Sequence, residues 1–127
     1  MEKIWRISDS EWLIMRCLWK TAPLEIKDMQ GMLAAETGWN GNMIRGLVVR
    51  LLQKGAIAAE TSSRYYQYYP VALEEDCIRQ ETESFVNRVF EGSAVKLFAA
   101  FAGTGRLSAK DRKEIEAMLK KLEEEEE

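Results

Sequence analysis

The feature that most constrains the fold is a change of hydrophobic periodicity at Gly55. Before Gly55, apolar residues recur at helical spacing in three separate segments. After it, residues 56–61 and 64–69 show the pattern of two short strands joined by a Ser62-Ser63 turn. Three helices followed by a β-hairpin are typical of a winged helix, in which the hairpin extends a helix-turn-helix. The sequence therefore predicts a mostly α-helical protein with one small β-hairpin.

Local signals place the ends of these three helices. Ser8 followed three residues later by Glu11 is a capping box, which predicts that the first helix starts there. Gly38 and Gly55 predict the ends of the second and third helices, because glycine adopts the left-handed backbone that often closes a helix. The third helix is predicted over residues 40–54. Its expected buried stripe consists of Ile44, Leu47, Val48 and Leu51, joined by Leu52.

The second half of the chain differs from the first in charge and in pattern. Residues 1–70 carry a net charge of +2, whereas residues 71–127 carry −5 and show the periodicity of three further helices. We predict a winged-helix domain over residues 1–70 and a helical domain over residues 71–122. Residues 123–127 are predicted as an acidic disordered tail, because a run of like charges is normally solvated.

Apolar side chains are concentrated between Phe85 and Phe101, in a helical segment too short to bury them by itself. Leaving each of them in water would cost about 1.5–3 kcal/mol, so these side chains need a partner surface. Either the segment folds back on the winged helix as a helical cap, or two copies of the chain pack together. We favour a homodimer. Its predicted interface residues are Phe85, Val89, Phe90, Leu97, Phe98, Phe101 and Leu119.

The composition excludes several chemistries. The chain has no histidine and only two cysteines, which rules out histidine-dependent nucleophiles and the usual zinc sites. Carboxylate pairs such as Glu81 and Glu83 lie on amphipathic helices, where solvation is their ordinary role, so we predict no enzyme activity, no catalytic residue, no metal and no cofactor. No apolar run approaches the ~18 residues that span a membrane, so we expect no membrane insertion and a cytoplasmic location.

A winged helix chiefly binds double-stranded DNA, with its third helix in the major groove and its wing along the backbone. Arg45 would then pair with a guanine edge or a phosphate, and Arg45→Ala should weaken binding by ~1–3 kcal/mol if it pairs with a base. Arg50 would contact phosphate or brace the fold through an ion pair, and Lys27 would add a weaker backbone contact. The predicted DNA-binding residues are Asn42, Met43, Arg45, Gly46, Arg50, Lys54 and Arg64.

Two observations allow a different function for the same fold. Met43 and Gly46 lie at positions that would face bases, and the net charge is −3. The alternative is a winged-helix protein-interaction module that has lost sequence-specific DNA binding, with its cations forming an ordinary solvated surface. DNA binding is favoured by the placement of four cations on the predicted DNA-binding surface: Arg45, Arg50, Lys54 and Arg64.

Five segments of the chain carry a resemblance to a known family. In the first half they are Ile7-Ser8-Asp9-Ser10-Glu11-Trp12, Arg50-Leu51-Leu52-Gln53-Lys54-Gly55-Ala56 and Arg64-Tyr65-Tyr66-Gln67-Tyr68-Tyr69-Pro70. In the second half they are Glu81-Thr82-Glu83-Ser84-Phe85 and Phe90-Glu91-Gly92-Ser93. Together these segments resemble the penicillinase repressor family, and the resemblance covers nearly the whole chain.

The resemblance implies a homodimeric transcriptional repressor of genes such as those for β-lactam resistance. Its winged helix would bind palindromic operator DNA, and its C-terminal helices would hold the dimer together. In antibiotic-responsive members, a protease linked to a membrane sensor cleaves the repressor, and the corresponding bond here joins Ala100 to Phe101.

This sequence differs from the family pattern in three respects. Asn40-Gly41-Asn42-Met43 replaces the common Ser-Pro-Lys-Thr at the start of the third helix, and Gly46 stands where a Thr is common. Ala100 replaces the Asn that precedes the cleaved bond. The operator sequence and the cleavage step therefore do not carry over unchanged. The cysteine pair motif of the copper-responsive branch is absent from the sequence, so copper sensing is not implied.

Overall fold

The computed structural model describes residues 2–126, and this part of the chain contains six α-helices and one two-stranded sheet. The elements in chain order are α1 (Asp9–Lys20), α2 (Ile26–Thr37), α3 (Gly41–Lys54), β1 (Ile57–Glu60), β2 (Gln67–Pro70), α4 (Glu74–Phe90), α5 (Ala94–Ala102) and α6 (Ala109–Glu126). This arrangement confirms the predicted fold class. The chain divides into two compact units between Glu81 and Thr82. The predicted functional division at residue 70 stays a prediction.

The first unit is built around a core in which α1, α2 and α3 pack on one another and on the hairpin. β1 and β2 pair antiparallel, with Ala59 opposite Tyr68. Leu24 forms an isolated bridge to Tyr68, through backbone hydrogen bonds of 2.8 and 3.0 Å. This bridge fastens the hairpin, which forms the wing, to the segment just before α2.

The helix ends follow from the local sequence. Ser8 caps α1, and Ser8 and Glu11 each accept a hydrogen bond from the other's backbone N–H, at 3.2 and 2.8 Å. Gly38 and Gly55 close α2 and α3 with φ angles of 66° and 75°, in the left-handed region that favours glycine. All three predicted helix ends are therefore confirmed.

The hairpin differs from the sequence prediction in one respect. Both strands are shorter than expected, so residues 61–66 form a loop. Within this loop, the Glu60 carboxylate accepts a hydrogen bond from the Ser62 backbone N–H at 2.8 Å, and the Ser63 hydroxyl donates to the Tyr65 carbonyl at 2.7 Å. These side-chain bonds satisfy the loop backbone locally, so the ladder of strand pairing ends early.

The second unit contains the end of α4 together with α5 and α6, and none of its described residues 82–126 is buried. Phe85 and Phe90 contact each other edge to face, with ring centroids 5.7 Å apart. Ser93 caps α5 as predicted, accepting from the Lys96 backbone N–H at 3.1 Å. A helical unit without buried side chains lacks the core that holds an isolated domain together.

The acidic end of the chain differs from its predicted disorder. Helix α6 continues to Glu126, so residues 123–126 are helical, while residue 127 lies outside the described residues. Glutamate has a high helix propensity and no helix breaker follows Leu122, which outweighs the mutual repulsion of exposed carboxylates. The prediction of a disordered tail is therefore wrong for residues 123–126.

Helices α1 and α3 are joined by an ion pair between the buried Glu11 carboxylate and the half-buried Lys54. Glu11 is only 1% exposed, and the Lys54 ammonium also donates to the Arg6 carbonyl. Burial acts to raise the pKa of Glu11, but hydrogen bonds from Lys54 and Ser8 outweigh burial and hold the pKa below its usual value. Oε2 of Glu11 is buried and has no hydrogen-bond partner among the described residues, so the carboxylate depends on Lys54 for its stability.

Lys54→Met should lower the free energy of unfolding by about 3 kcal/mol, because the Glu11 carboxylate would stay buried without its cation. Urea unfolding at neutral pH measures this loss. The matched control is Arg16→Met, which breaks the exposed Arg16–Glu36 pair of 2.7 Å. The control substitution should lower the free energy of unfolding by less than about 1 kcal/mol. Equal losses in the two variants would contradict a special role for the buried pair.

The buried pair should also make stability depend on pH. Because the pKa of Glu11 is lower in the folded protein, the stabilisation is present above the unfolded-state pKa and is lost as the pH falls through the folded-state pKa. Glu11→Gln lacks this titration, so its free energy of unfolding should fall less than that of the wild type on acidification. Urea unfolding over a series of acidic pH values measures the difference, and parallel curves would show that Glu11 makes no contribution.

Candidate nucleic-acid interface

Helix α3 has one buried side and one exposed side. Its start is capped by Asn40, whose Oδ1 accepts from the Met43 backbone N–H at 2.9 Å. The predicted buried stripe is confirmed for Ile44, Leu47, Val48 and Leu51, whereas Leu52 is half-buried. The exposed side holds five of the predicted DNA-binding residues: Asn42, Met43, Arg45, Gly46 and Arg50.

An apolar stripe runs along the exposed side of α3. It consists of Met43, Gly46 and Val49, which recur three residues apart. Met43 is 42% exposed and Val49 is 44% exposed. A Cβ atom placed on Gly46 would have no neighbour within 4 Å among the described residues. The stripe is therefore open to an external partner.

A cleft of about 470 Å³ opens between the start of α2, the start of α3 and the loop of the wing. We call it the wing cleft. Its lining residues are Glu25, Ile26, Lys27, Gln30, Gly41, Arg45, Arg64, Tyr65, Tyr66 and Tyr68. Three cations and one carboxylate line this cleft, so it is net positive although the whole chain is net negative.

Several contacts fix the charged and aromatic side chains of the wing cleft. The Arg45 guanidinium donates to Asn42 Oδ1 at 2.9 Å. The Tyr65 ring interacts with two cations, since Lys27 Nζ lies 5.8 Å and the Arg64 guanidinium carbon 5.3 Å from its centroid. Burial raises the pKa of Tyr68, and the positive charge of Arg45 partly opposes this effect.

The structure brings only some of the predicted DNA-binding cations together. Arg45 and Arg64 both line the wing cleft, whereas Arg50 and Lys54 do not. Arg50 is exposed on α3, and the Lys54 ammonium binds Glu11 at the other end of the helix. Contact of these residues with DNA stays a prediction.

Two exposed aromatic side chains of the wing cleft were not among the predicted site residues. Tyr65 is 58% exposed and Tyr66 is 52% exposed. Both lie in the loop of the wing, where the inward and outward alternation of a strand does not apply. Their position directly after Arg64, the predicted cation of the wing, is the sequence signal that could have identified them.

The seven predicted dimer-interface residues all lie in the second unit, and none is buried. Phe85, Val89, Phe98, Phe101 and Leu119 are exposed, and Phe90 and Leu97 are half-buried. The Ala100–Phe101 bond lies within α5, and both of its residues are exposed. The roles of these residues in dimerisation and cleavage stay predictions.

The described part of the chain has few groups suited to catalysis or metal binding. Over residues 2–126, no group of three or more His, Cys, Asp or Glu residues is placed to hold a metal ion. Cys17 and Cys77 are free and buried, and burial raises the pKa of the Cys77 thiol to about 11. Neither thiol is therefore an activated nucleophile. Over the same residues, no helix has both the length and the apolar character needed to cross a membrane.

Comparison with known proteins gives consistent matches over the chain. A sequence model of the penicillinase repressor family matches residues 7–121. The penicillinase repressor of Bacillus licheniformis is 29% identical over 119 residues, covering 94% of this chain and 93% of that protein. The penicillinase repressor of Staphylococcus aureus is 26% identical over 114 residues, covering 89% of this chain and 90% of that protein.

Two solved structures resemble part of this chain. The solution structure of the DNA-binding domain of the repressor BlaI has 30% sequence identity and a TM-score of 0.52, covering 60% of this chain and 93% of that domain. The monomeric form of Bacillus licheniformis BlaI in complex with the blaP half-operator also has 30% identity, with a TM-score of 0.51 and the same coverage of 60% and 93%.

Gly46→Ala should raise the free energy of unfolding by about 0.5–1 kcal/mol, because Ala is the better helix former and the space around Gly46 is open. Gly31→Ala in α2 is the matched control, since that position also has no neighbour within 4 Å among the described residues. Urea unfolding of both variants should give similar gains. A loss of stability in Gly46→Ala alone would show that the folded protein covers this position.

Proposed function

The chain belongs to the penicillinase repressor family, and we propose that it is a homodimeric transcriptional repressor that binds palindromic operator DNA through α3 and the wing. This family consists of DNA-binding repressors and not of enzymes. The observation that carries DNA binding is the exposed side of α3, flanked by the net-positive wing cleft. In winged helices this side of the third helix enters the major groove and the wing follows the backbone.

The second unit supports the homodimer. Most of its large apolar side chains are exposed, and none of the residues described over 82–126 is buried. A second copy of the chain would cover these side chains through a symmetric interface. Two-fold symmetry of the protein then matches a palindromic operator, whose half-sites each receive one α3 helix.

Within this proposal, relief of repression would follow cleavage of the Ala100–Phe101 bond by a regulatory protease linked to a membrane sensor. The bond lies inside α5, so cleavage would detach Phe101 and all of α6 from the winged helix. The dimer would lose part of its apolar surface. Each winged helix would then bind its half-site alone, without the affinity gained from linkage to a partner. We place these steps in the cytoplasm.

One observation favours a second candidate function. The stripe of Met43, Gly46 and Val49 is apolar and exposed, as expected of a winged-helix protein-interaction module that has lost sequence-specific DNA binding. DNA also offers apolar groups to such a stripe, since each thymine carries a methyl group in the major groove. The stripe alone is therefore compatible with both functions, and the wing cleft favours DNA.

Selection of bound sequences from a pool of random duplexes, using the full chain, separates the two candidates. A dimeric repressor should return inverted repeats whose half-sites lie about one helical turn, or a multiple of it, apart. If the chain retains no duplex at low salt, or retains duplexes that share no sequence, the result would contradict the repressor and favour the interaction module.

Phe98→Asp should convert the dimer into a monomer, because it places a carboxylate in the proposed apolar interface. Phe98 is 49% exposed and lies outside the core of the first unit, so its replacement should leave the winged helix folded. Sedimentation velocity measures the oligomeric state. Affinity for a duplex with two half-sites should fall roughly a hundredfold or more, whereas affinity for a single half-site should not change.

The control for this experiment is Lys110→Asp, at an exposed position near the start of α6. It changes the charge of the second unit without removing apolar surface, so the variant should remain dimeric. A wild-type chain that sediments as a monomer at micromolar concentration would contradict the homodimer.

A further inference from the structure

We propose that the wing cleft binds one phosphate of the DNA backbone, and that Arg45 grips this phosphate instead of contacting a base edge. The inference deepens the proposed function and rests on it, because it requires a bound duplex. It changes the role of Arg45, which the sequence allowed to pair with either a guanine or a phosphate.

The charges of the wing cleft come from three separate elements. Lys27 lies on α2, Arg45 on α3 and Arg64 in the loop of the wing. The Glu25 carboxylate also lines the cleft, so two positive charges remain in excess. A phosphodiester carries one negative charge and two free oxygens, which guanidinium and ammonium groups bind with charge-assisted hydrogen bonds. The chemistry of the cleft therefore matches a backbone phosphate.

Arg45 lines the cleft, and two interactions restrain its guanidinium. Its guanidinium donates to Asn42 Oδ1 at 2.9 Å, one turn earlier on the same helix. It also interacts electrostatically with the phenol of Tyr68, which lies on β2. Asn42 acts here as a positioning residue for Arg45.

The Tyr65 ring organises the other two cations. Lys27 Nζ and the Arg64 guanidinium carbon lie 5.8 and 5.3 Å from the ring centroid, so one exposed ring attracts both charges. Cation–π contacts hold a cation in place while leaving N–H groups free to donate. The ring thus keeps Lys27 and Arg64 at the cleft, where a phosphate can accept from both.

The test compares Arg45→Gln with the wild type in the full-length protein. Affinity is measured by fluorescence anisotropy on a duplex recovered by selection and on a scrambled duplex of equal length. We expect the variant to lose affinity by the same factor on both duplexes. Because one phosphate contact is lost, the ratio of wild-type affinity to variant affinity should also fall about threefold as the salt concentration rises from about 50 to about 200 mM. Repeated selection with the variant should return the same consensus sequence.

Two further variants and one modified duplex sharpen the test. Lys27→Gln should reproduce the salt effect, whereas Lys20→Gln, an exposed change on α1 outside the cleft, should not. Each backbone phosphate of the duplex is replaced in turn by a neutral methylphosphonate. Wild-type binding should weaken when the replaced phosphate is the one that the cleft contacts. Binding of Arg45→Gln should weaken less than that of the wild type at that same phosphate, because only Lys27 and Arg64 would still contact it. Far-UV circular dichroism confirms that each variant is folded.

Distinct outcomes overturn the inference and the proposed function. Relaxed preference at one base pair, with unchanged salt dependence, would show that Arg45 contacts a base and would overturn the inference alone. If inorganic phosphate or a mononucleotide at micromolar concentration displaces the duplex, the cleft is a small-molecule site, and this result would also overturn the inference. If the wild type retains no duplex of any sequence, the proposed function fails and the inference fails with it.

Discussion

The whole arrangement depends on α3 being held from one side only. A helix of this length is marginal in isolation, so its position must come from the residues beneath it. The buried stripe from Ile44 to Leu51 supplies the packing, Asn40 caps the start of the helix, and the pair of Lys54 with buried Glu11 anchors its end. Because these contacts hold α3 from the core side, the opposite side is free to carry residues chosen for binding.

Most of the first unit could be predicted from local signals. The capping box of Ser8 and Glu11 and the closing glycines Gly38 and Gly55 act over a few residues, and helical periodicity marks the buried stripe of α3 directly. The Glu11–Lys54 pair could not be predicted in this way. Its partners are 43 positions apart, and local sequence gives Glu11 only a capping role. Lys54 was accordingly expected at the DNA, because periodicity cannot show which carboxylate lies beneath an amine.

The candidate site was predictable only in outline. Periodicity placed Arg45 on the exposed side of α3, but it does not show whether the side chain extends outward or turns towards the wing. That direction depends on Asn42 and on the wing, which the Leu24–Tyr68 bridge fastens next to α2. The wing cleft is a product of tertiary contacts among three elements, so no segment of sequence contains it. The loop of the wing adds Tyr65 because the strands end early.

The charge distribution reconciles DNA binding with a chain whose net charge is −3. Charges separated by more than about 8–10 Å are largely screened at physiological salt, so a bound phosphate responds to the few charges close to it. Three cations around one cleft therefore provide local attraction although the net charge of the chain is negative. A low net charge also weakens binding to DNA of any sequence, since the affinity of such binding grows with the number of phosphates that the protein neutralises. Discrimination between an operator and other DNA depends on the ratio of the two affinities. A chain with little general attraction for DNA reaches a given ratio with fewer base contacts, which suits a helix α3 whose exposed side includes an apolar stripe.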